Sequence, residues 1–262
     1  MKKPKADYAI QTVANALRLL EEFGDEVEIG VAELSRRLRL HKNNVFRLLA
    51  TLEDQDYIEQ DPETERYRLG IAALELGQSF ARSRPLLARA RHTLEELSQA
   101  TEETTHLAML RDFEVVHLDG VAPDRLLVSG VRTGRRLPVH CTALGKVLIG
   151  CCPEGQREAY DRTVTREGRL VARTRSTITD PDKLFEQIRT VAGQGFAVDR
   201  DECEVGLCCV AAPVHDETGR VVGAISVSAP SGRRSEDELL VGICPQVVAA
   251  AERLSRELGY RI

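Results

Sequence analysis

The 262-residue sequence lacks the features that direct a chain to or across a membrane. No stretch approaches the roughly 20 apolar residues that a membrane-spanning helix needs. The first residues include Lys2, Lys3 and Lys5, but no apolar run follows them, so we expect no secretory signal. These absences predict a cytoplasmic protein with no membrane partner.

The seven cysteines lack the pattern of a disulfide framework. An odd number cannot be fully paired, and a chain without a secretory signal normally keeps its thiols reduced. The densest cluster is Cys203, Cys208 and Cys209, whose C-x4-C-C spacing differs from the C-x2-C pairs typical of zinc sites. We therefore expect no metal and no cofactor. A metal- or thiol-sensing role for this cluster is the alternative.

An excess of positive charge is also missing. Lys and Arg number 36 against 41 Asp and Glu, so the formal net charge is -5. The whole protein is therefore not a general binder of polyanions, and any contact with nucleic acid has to be local. Hydrophobic residues make up 42% and charged residues 29%, a globular mixture. The length fits one large domain or two ordinary ones.

Positive charge is concentrated in one segment, residues 31–52, VAELSRRLRLHKNNVFRLLATL. Apolar residues recur at helical spacing on both sides of the short break Arg39-Leu40-His41. Two short helices joined by so short a turn predict a helix-turn-helix. No acidic residue lies between Leu34 and Leu52, whereas acidic residues crowd both flanks. The basic residues of the segment are Arg36, Arg37, Arg39, Lys42 and Arg47.

The second helix of this motif begins at Lys42-Asn43-Asn44. In a helix-turn-helix, the N-terminal residues of the second helix meet base edges in the major groove. Asn pairs with adenine and Arg with guanine, and Asn43 and Arg47 share one helical face. This pattern predicts contact with duplex DNA. A solvated basic face on an ordinary helical hairpin is the alternative.

The segments around the helix-turn-helix complete a winged helix. An amphipathic helix is predicted at Ile10–Phe23, and its apolar face is expected to carry Ile10, Val13, Ala14, Leu17 and Leu20, with Phe23 as a further candidate. Downstream, two short extended runs around a Pro-containing turn predict a hairpin. Its tip, or wing, carries Arg66 near the phosphates, with a plain surface hairpin as the alternative. The predicted DNA-binding residues are Arg36, Lys42, Asn43, Asn44, Arg47 and Arg66.

Three parts are predicted along the chain. Residues 1–70 form the winged helix, residues 71–84 a linker helix that ends at Arg84-Pro85, and residues 85–262 a C-terminal domain. The linker helix is expected to offer a dimer contact. Proteins that read DNA through one helix usually do so in pairs on two half-sites. A homodimer is therefore expected, with a dimer of dimers as the larger alternative.

The C-terminal domain mixes two periodicities, which predicts an α+β fold with an antiparallel sheet flanked by helices. Helical spacing covers Leu86–Thr101, Thr142–Gly150, Asp182–Gly193 and a last helix that Pro245 should kink or break near Cys244. Short apolar runs predict strands. These runs are His106–Leu110, Glu114–Leu118, Leu126–Ser129, Ala197–Asp199, Leu207–Val214 and Val221–Ser228.

Several segments resemble the IclR (isocitrate lyase regulator) family of bacterial transcription factors. AELSRRL, KNNVFRLLATLE, DPETERYRLG and LELG are similar to its winged helix. RTGRRLPVHCTALGKVLIG, RTRSTITDP, GFAVDRDECEVGLCCVAAPV and GAISVSAP are similar to its GAF-like effector-binding domain. One departure is Glu65, which stands where the family usually has a Gly that accepts positive φ. The wing tip is therefore expected to differ in shape.

The resemblance implies a transcriptional regulator, not an enzyme, whose operator affinity is controlled by a small molecule such as an organic acid. The effector-binding positions carried across are Gly134, Leu137, Asp199, Cys209, Ser226 and Ser228. Hydroxyls and a thiol suit a carboxylate, beside which Asp199 would have to be protonated or face a hydroxyl or keto group. Backbone bonding within the core is the alternative for the two serines.

An enzyme would need a nucleophile and a base. Cys209, His140 and Asp199 could be drawn as a triad, although no local signature supports it.

Overall fold

The computed structural model describes residues 9–24, 26–125, 128–165, 167–168, 170–234 and 238–261. The chain divides into two compact units, Met1–Ser83 and Arg84–Ile262. We call them the N-terminal unit and the C-terminal unit. Among the described helices, none combines the length and apolar character needed to cross a membrane.

The N-terminal unit is a winged helix, as predicted. Its strands β1 and β2 pair antiparallel with Ile58 opposite Leu69, and a bridge from Ile29 to Tyr67 extends the hairpin. The helix-turn-helix consists of α2 and α3. In chain order the elements are α1 (Gln11–Glu21), α2 (Val31–Leu38), α3 (Lys42–Asp54), β1 (Ile58–Gln60), β2 (Tyr67–Leu69) and α4 (Ile71–Arg82).

The face of α1 that enters the core differs from the predicted one. Leu19 is fully buried and Phe23, just beyond the helix, is 4% exposed, whereas Ile10, Val13 and Leu17 are 67%, 53% and 57% exposed. The helix carries two neighbouring apolar stripes, and helical spacing alone does not rank them. Packing against α2 and α3 selects the stripe that contains Leu19. The predicted face of α1 is therefore wrong for Ile10, Val13 and Leu17, whereas Leu20 and the candidate Phe23 do contact the core.

The wing turn contains a residue in a strained backbone conformation. Glu65 has a φ of 55°, a region that costs an L-residue other than Gly roughly 1–2 kcal/mol. Its exposed position is held by backbone bonds, since its N–H donates to the Asp61 carbonyl at 2.9 Å. The side chain that replaces the family's glycine is thus accommodated with the glycine-like backbone retained.

We expect Glu65→Gly to raise the free energy of unfolding by about 0.5–1 kcal/mol. The relief of strain exceeds the extra chain entropy that Gly adds to the unfolded state. The measurement is urea denaturation of both proteins. Glu63→Gly, at a neighbouring exposed position outside the positive-φ region, is the control and should not stabilise. An equal response of the two variants would contradict the assignment of strain to Glu65.

The C-terminal unit is built on one six-stranded antiparallel sheet, which confirms the predicted α+β class. The strand order is β5-β4-β3-β8-β7-β6, so the two strands most distant in sequence, β3 and β8, are central neighbours. The short edge strand β5 was not predicted. Of the strand predicted at Leu126–Ser129, residues 126 and 127 lie outside the described residues, and Val128 and Ser129 are not in a strand. The strands are β3 (Thr104–Arg111), β4 (Glu114–Val121), β5 (Arg136–Pro138), β6 (Ala197–Arg200), β7 (Leu207–His215) and β8 (Val221–Pro230).

Helices cover both faces of this sheet. α5 and α9 pack on one face with Leu97, Val210 and Val247, and α6 and α8 pack on the other with Val147 and Ile188. α9 begins at Cys244 with Pro245 in its first turn, after a π-helical turn at Glu238–Ile243. The helices are α5 (Pro85–Thr101), α6 (Ala143–Gly150), α7 (Glu154–Tyr160), α8 (Pro181–Gln194) and α9 (Cys244–Glu257).

Candidate functional site

The turn between α2 and α3 is closed by local hydrogen bonds. Arg39 ends α2 in the left-handed conformation with a φ of 56°, and the Ser35 hydroxyl donates to the Leu40 carbonyl at 2.6 Å. The His41 ring accepts from the Asn43 N–H at 3.4 Å and caps α3. These bonds set the orientation of the first helical turn of α3 relative to α2. Predicted contact residues on α3 therefore occupy a rigid element.

The basic residues of the helix-turn-helix differ in their availability for DNA. Arg37 pairs with Glu22, Glu26 and Glu33, and the Nε of Arg36 also donates to Glu33 at 3.0 Å. Hydrogen bonds from the two arginines lower the pKa of Glu33 to about 2, so this carboxylate stays charged. To bind a phosphate, Arg36 would have to exchange this carboxylate for it. The pairing with Glu33 was not predicted from the sequence, because Glu33 lies directly before the stretch without acidic residues.

Three basic residues of the motif are exposed and form no ion pair within the described ranges: Arg39, Lys42 and Arg47. Asn43 and Asn44 are exposed beside them, while Val45 and Leu49 anchor α3 in the core. Unpaired cations release condensed counterions from DNA without first breaking a protein ion pair. The predicted α3 residues therefore form one exposed polar and basic surface.

The predicted wing residue Arg66 is exposed and bonded within its own unit. Its Nη2 donates to the carbonyl oxygen of Glu28 at 2.8 Å. The neighbouring Arg68 is neutralised by Glu59, to which its Nε donates at 2.5 Å. The bond to a carbonyl leaves the charge of Arg66 uncompensated, unlike that of Arg68. Arg66 is thus the wing cation that retains charge for a phosphate.

One exposed residue of α3 was not among the predicted contacts. Phe46 is 57% exposed, although aromatic side chains usually enter a core. It lies three residues after Asn43 and directly before Arg47, on the turn that is predicted to meet DNA. Its position between the core residues Val45 and Leu48 was a usable signal, because those two already define the buried face. An apolar ring there can contact a thymine methyl group.

The predicted effector residues of the C-terminal unit meet across three adjacent strands. Asp199 on β6 pairs in register with Cys209 on β7, which pairs with Ser228 on β8. The Cys209 thiol donates to the Ser228 hydroxyl at 3.2 Å. Together with Leu137 and Ser226, these residues line one cavity. Five of the six residues predicted to bind an effector therefore line the same cavity.

The sixth position, Gly134, is not among the described residues that line the cavity. It lies in the loop before β5 with a φ of 83°, and its N–H donates to the His117 carbonyl at 2.8 Å. A positive φ favours Gly at this point. Gly134 therefore allows the loop before β5 to turn and to bond to β4.

The carboxyl group of Asp199 lines the cavity and has a raised pKa. Burial raises its pKa to about 7, although its Oδ1 accepts from the Glu202 N–H at 2.8 Å and Lys146 opposes the shift. A carboxyl group with this pKa is partly protonated at neutral pH. It can therefore donate a hydrogen bond to an anionic ligand, which is one of the two arrangements expected from the sequence.

Among the lining residues that were not predicted as effector contacts, three carry a ring nitrogen or a positive charge: His106, His117 and Arg132. His106 lies opposite Ser226 in the register of β3 and β8, a neighbour relation that appears only once the strand order is known. His117 on β4 stacks edge-on against His106, with ring centroids 5.3 Å apart. The other lining residues are Thr142, Ala143, Leu144, Cys203 and Leu207.

The cysteine cluster does not assemble as a metal site. Cys208 packs with the α5 and α9 face of the sheet, whereas Cys209 faces α6 and α8. Cys203 hydrogen bonds with Cys141 instead. No group of three or more His, Cys, Asp or Glu side chains suited to a metal occurs in the part of the chain that the structure describes. The metal-sensing alternative therefore has no site there.

The triad of the enzyme alternative is not assembled. The Nε2 of His140 lies 3.0 Å from the Val171 carbonyl, and the Cys209 thiol donates to Ser228. A general base has to lie within hydrogen-bond reach of the proton it removes.

Comparisons with known proteins agree with the geometry of both units. The IclR helix-turn-helix domain matches residues 12–62, and the bacterial transcriptional regulator IclR C-terminal domain matches residues 78–256. The chain is 36% identical to the HTH-type transcriptional regulator XynR of Escherichia coli (strain K12) over 253 residues, which cover 96% of this chain and 98% of that protein.

Solved structures share the fold. A crystal structure of an IclR transcriptional regulator from Alicyclobacillus acidocaldarius superposes with a TM-score of 0.85 and 27% identity, over 96% of this chain and 100% of that one. An IclR homologue from Microbacterium hydrocarbonoxydans, complexed with 4-hydroxybenzoate, gives a TM-score of 0.80 at 23% identity, over 94% and 98% of the two chains.

Proposed function

The chain belongs to the IclR family of bacterial transcriptional regulators, and from that premise we propose that α3 reads an operator whose affinity is set by an organic acid in the C-terminal cavity. The matched family and relatives are transcriptional regulators, not enzymes. The observation that carries the effector half is the line of Asp199, Cys209 and Ser228 along the cavity wall.

In the DNA half of the proposal, Asn43, Asn44 and Arg47 meet base edges, while Lys42 meets a phosphate. Their exposure on one turn of α3 supports these roles. Arg36 and Arg66 join them as phosphate contacts, Arg36 after release from Glu33. Because the operator is chromosomal DNA, the proposed site of action is the cytoplasm.

The proposed assembly is a homodimer in which residues 71–84 act as the linker and contact the partner. Four large apolar side chains on α4 support this: Ile71, Leu74, Leu76 and Phe80 are 59%, 56%, 60% and 45% exposed. Exposed apolar side chains at this density on one helix favour association. Two copies of α3 would then read two half-sites. A dimer of dimers would carry four copies of α3 and could read four half-sites.

An organic acid is favoured as effector by the polar lining of the cavity. Hydroxyls, a partly protonated carboxyl and the Arg132 guanidinium all donate hydrogen bonds to a carboxylate. The homologue from Microbacterium hydrocarbonoxydans was crystallised with 4-hydroxybenzoate, an aromatic carboxylate. An acid that prefers one arrangement of the dimer over another would shift the operator affinity.

We expect the Ser226→Ala/Ser228→Ala pair to lose the effector response and to keep effector-free operator binding. The operator affinity without acid should stay within about a factor of ten, roughly 1.4 kcal/mol. The measurements are operator titrations with and without candidate acids and direct calorimetry of acid binding. Ser98→Ala is the control, because Ser98 is equally buried but bonds to the Glu103 carbonyl outside the cavity. Undiminished acid binding by the double variant would assign both serines to the core.

We expect the affinity for a carboxylate effector to fall as the pH rises above about 7. Asp199 has a pKa of about 7; below it the carboxyl donates to the ligand, and above it the carboxylate repels the ligand. The loss should approach roughly ten-fold per pH unit. His106 and His117, with pKa values of about 3 and about 4, stay neutral across this range. Calorimetric titrations between about pH 6 and pH 8 measure the slope.

Two variants separate the groups that titrate in this range. Asp199→Asn should abolish the slope, because the amide carries no ionisable proton. Cys203 also lines the cavity, and the neighbouring Cys141 thiol lowers its pKa, so Cys203→Ser is the control and should retain the slope. A slope that survives in Asp199→Asn and vanishes in Cys203→Ser would assign the pH response to the thiol.

A further inference from the structure

The His106 and His117 rings line the proposed effector cavity, and one nitrogen of each ring forms no hydrogen bond with the described residues. Both side chains are buried, at 1% and 4% exposure. The Nε2 of His106 and the Nδ1 of His117 have no hydrogen-bond partner among the residues that the structure describes. Buried polar side-chain atoms are nearly always paired, so two adjacent exceptions in one cavity point to a missing partner.

The other ring nitrogens determine what that partner has to be. Burial lowers the pKa of both rings, and the backbone of Gly130 beside His106 and of Arg135 beside His117 acts against that shift. A carbonyl oxygen that faces a ring N–H has this effect, so one nitrogen of each ring faces a backbone carbonyl. Burial keeps both rings neutral at pH 7, with pKa values of about 3 and about 4. A neutral imidazole that donates through one nitrogen accepts through the other, so both unused atoms require a donor.

Arg132 supplies a cation at the same cavity. Its side chain is 16% exposed, and its Nη2 donates to the exposed Glu204 at 2.6 Å. A guanidinium has five N–H donors, and one carboxylate at Nη2 leaves further donors for a ligand. Arg132 lies in the loop between Gly130 and Arg135, the two residues whose backbone lies beside the histidine rings. The cation and the two acceptors are therefore parts of one connected structure.

We propose that the effector is a hydroxylated carboxylate, whose carboxylate binds Arg132 and whose hydroxyl groups donate to His106 Nε2 and His117 Nδ1. The inference rests on the proposed function and specifies the ligand class of that cavity. Acids without a hydroxyl group, such as propionate or pyruvate, would leave both acceptors buried and unpaired. A polyol without a carboxylate would leave Arg132 without an anion.

The size of the cavity adds a conformational requirement. Its volume is about 20 Å³, which holds about one water molecule. Binding of a multi-carbon acid therefore requires the lining side chains to move apart. The loop with Arg132 is bonded to the backbone of β4, where the His117 N–H donates to the Arg135 carbonyl at 3.0 Å and the His117 carbonyl accepts from the Gly134 N–H at 2.8 Å. Hydroxyl groups that bind the two histidine rings couple ligand binding to this loop.

The test is calorimetry of the full-length protein with matched probes. The pairs are glycerate against propionate and gluconate against hexanoate, which differ only in hydroxyl groups, with sorbitol as the polyol lacking a carboxylate. We expect the wild-type protein to bind one hydroxylated acid at least ten-fold more tightly than its unsubstituted counterpart and than sorbitol. Equal or tighter binding of both unsubstituted acids overturns the proposal without any variant.

Variants assign the preference to named atoms. His106→Phe and His117→Phe keep a ring but lack the acceptor, so each should reduce the hydroxylated-to-unsubstituted affinity ratio at least three-fold. Arg132→Gln should weaken every acid at least ten-fold. The control is His92→Phe on α5, whose side chain is 80% exposed and lies outside the cavity. A ratio that survives in both cavity variants overturns the proposal.

The outcomes also separate this inference from the proposed function. If pyruvate or propionate, which carry no hydroxyl group, shifts operator affinity while the hydroxylated acids do not bind, the regulator stands and the ligand class is wrong. If no acid of the panel binds or shifts operator affinity, the organic-acid function itself fails, and the ligand class fails with it.

Discussion

Replacement of Lys146 by Met is expected to destabilise the protein by about 3–5 kcal/mol. Lys146 is fully buried on α6, and its ammonium group pairs with Glu202, whose side chain is 6% exposed. It also donates to the Val198 carbonyl at 3.3 Å. Removing the cation leaves a carboxylate buried without its counter-charge, and its second oxygen, Oε2, already lacks a partner.

The double variant Lys146→Met/Glu202→Leu is the matched control. Replacing a buried ion pair by apolar residues of similar volume is often close to neutral, so most of the lost stability should return. Denaturant unfolding of the wild type, both single variants and the double variant completes a mutant cycle. A loss below about 1 kcal/mol in Lys146→Met would show that water reaches the pair in solution.

The same pair also supports the effector cavity. The Glu202 N–H donates to Asp199 at 2.8 Å, and the Thr174 and Thr177 hydroxyls donate to the Glu202 carbonyl. Lys146 therefore holds the segment that follows β6 against α6. Glu202 thus links the buried ion pair to the Asp199 carboxyl in the cavity.

Arg47→Ala is expected to weaken operator binding by about 1–3 kcal/mol, with a much smaller loss on random DNA. Arg47 is exposed, unpaired within the described residues, and on the same face of α3 as Asn43. Bidentate pairing with guanine gives it sequence information that a phosphate contact lacks. Fluorescence titrations on operator and random duplexes at matched salt measure both affinities.

Lys42→Ala is the comparison variant, because Lys42 is an exposed cation of the same helix that is proposed to touch a phosphate. It should weaken both duplexes alike and reduce the salt-dependence slope by about one. An equal loss on operator and random DNA in Arg47→Ala would mean that Arg47 touches only phosphate. Arg37→Ala should change neither affinity by much, since Arg37 is occupied by three carboxylates.

The elements were predictable where local pattern and tertiary packing agree. The helix-turn-helix follows from apolar spacing around a three-residue break, and β8 follows from a continuous apolar run that belongs in the middle of a sheet. The short strand β5 escaped, because Arg136–Pro138 is too brief and too polar to show alternation. The core face of α1 was assigned wrongly, because the stripe of Ile10, Val13 and Leu17 has the same helical spacing as the buried one.

Motifs in the amino-acid sequence indicate the family and the main helices and strands, because motif and spacing are local properties of a chain. The resemblance to the family implied five of the lining residues. The pairing of charges and polar atoms is visible only in the folded chain. Glu33 neutralises Arg37 across a helical turn, whereas His106 and His117 keep an unused acceptor each. The histidines meet Arg132 through strand register and a loop, neither of which spacing along the chain encodes. Ligand chemistry depends on those pairings, and they exist only in the fold.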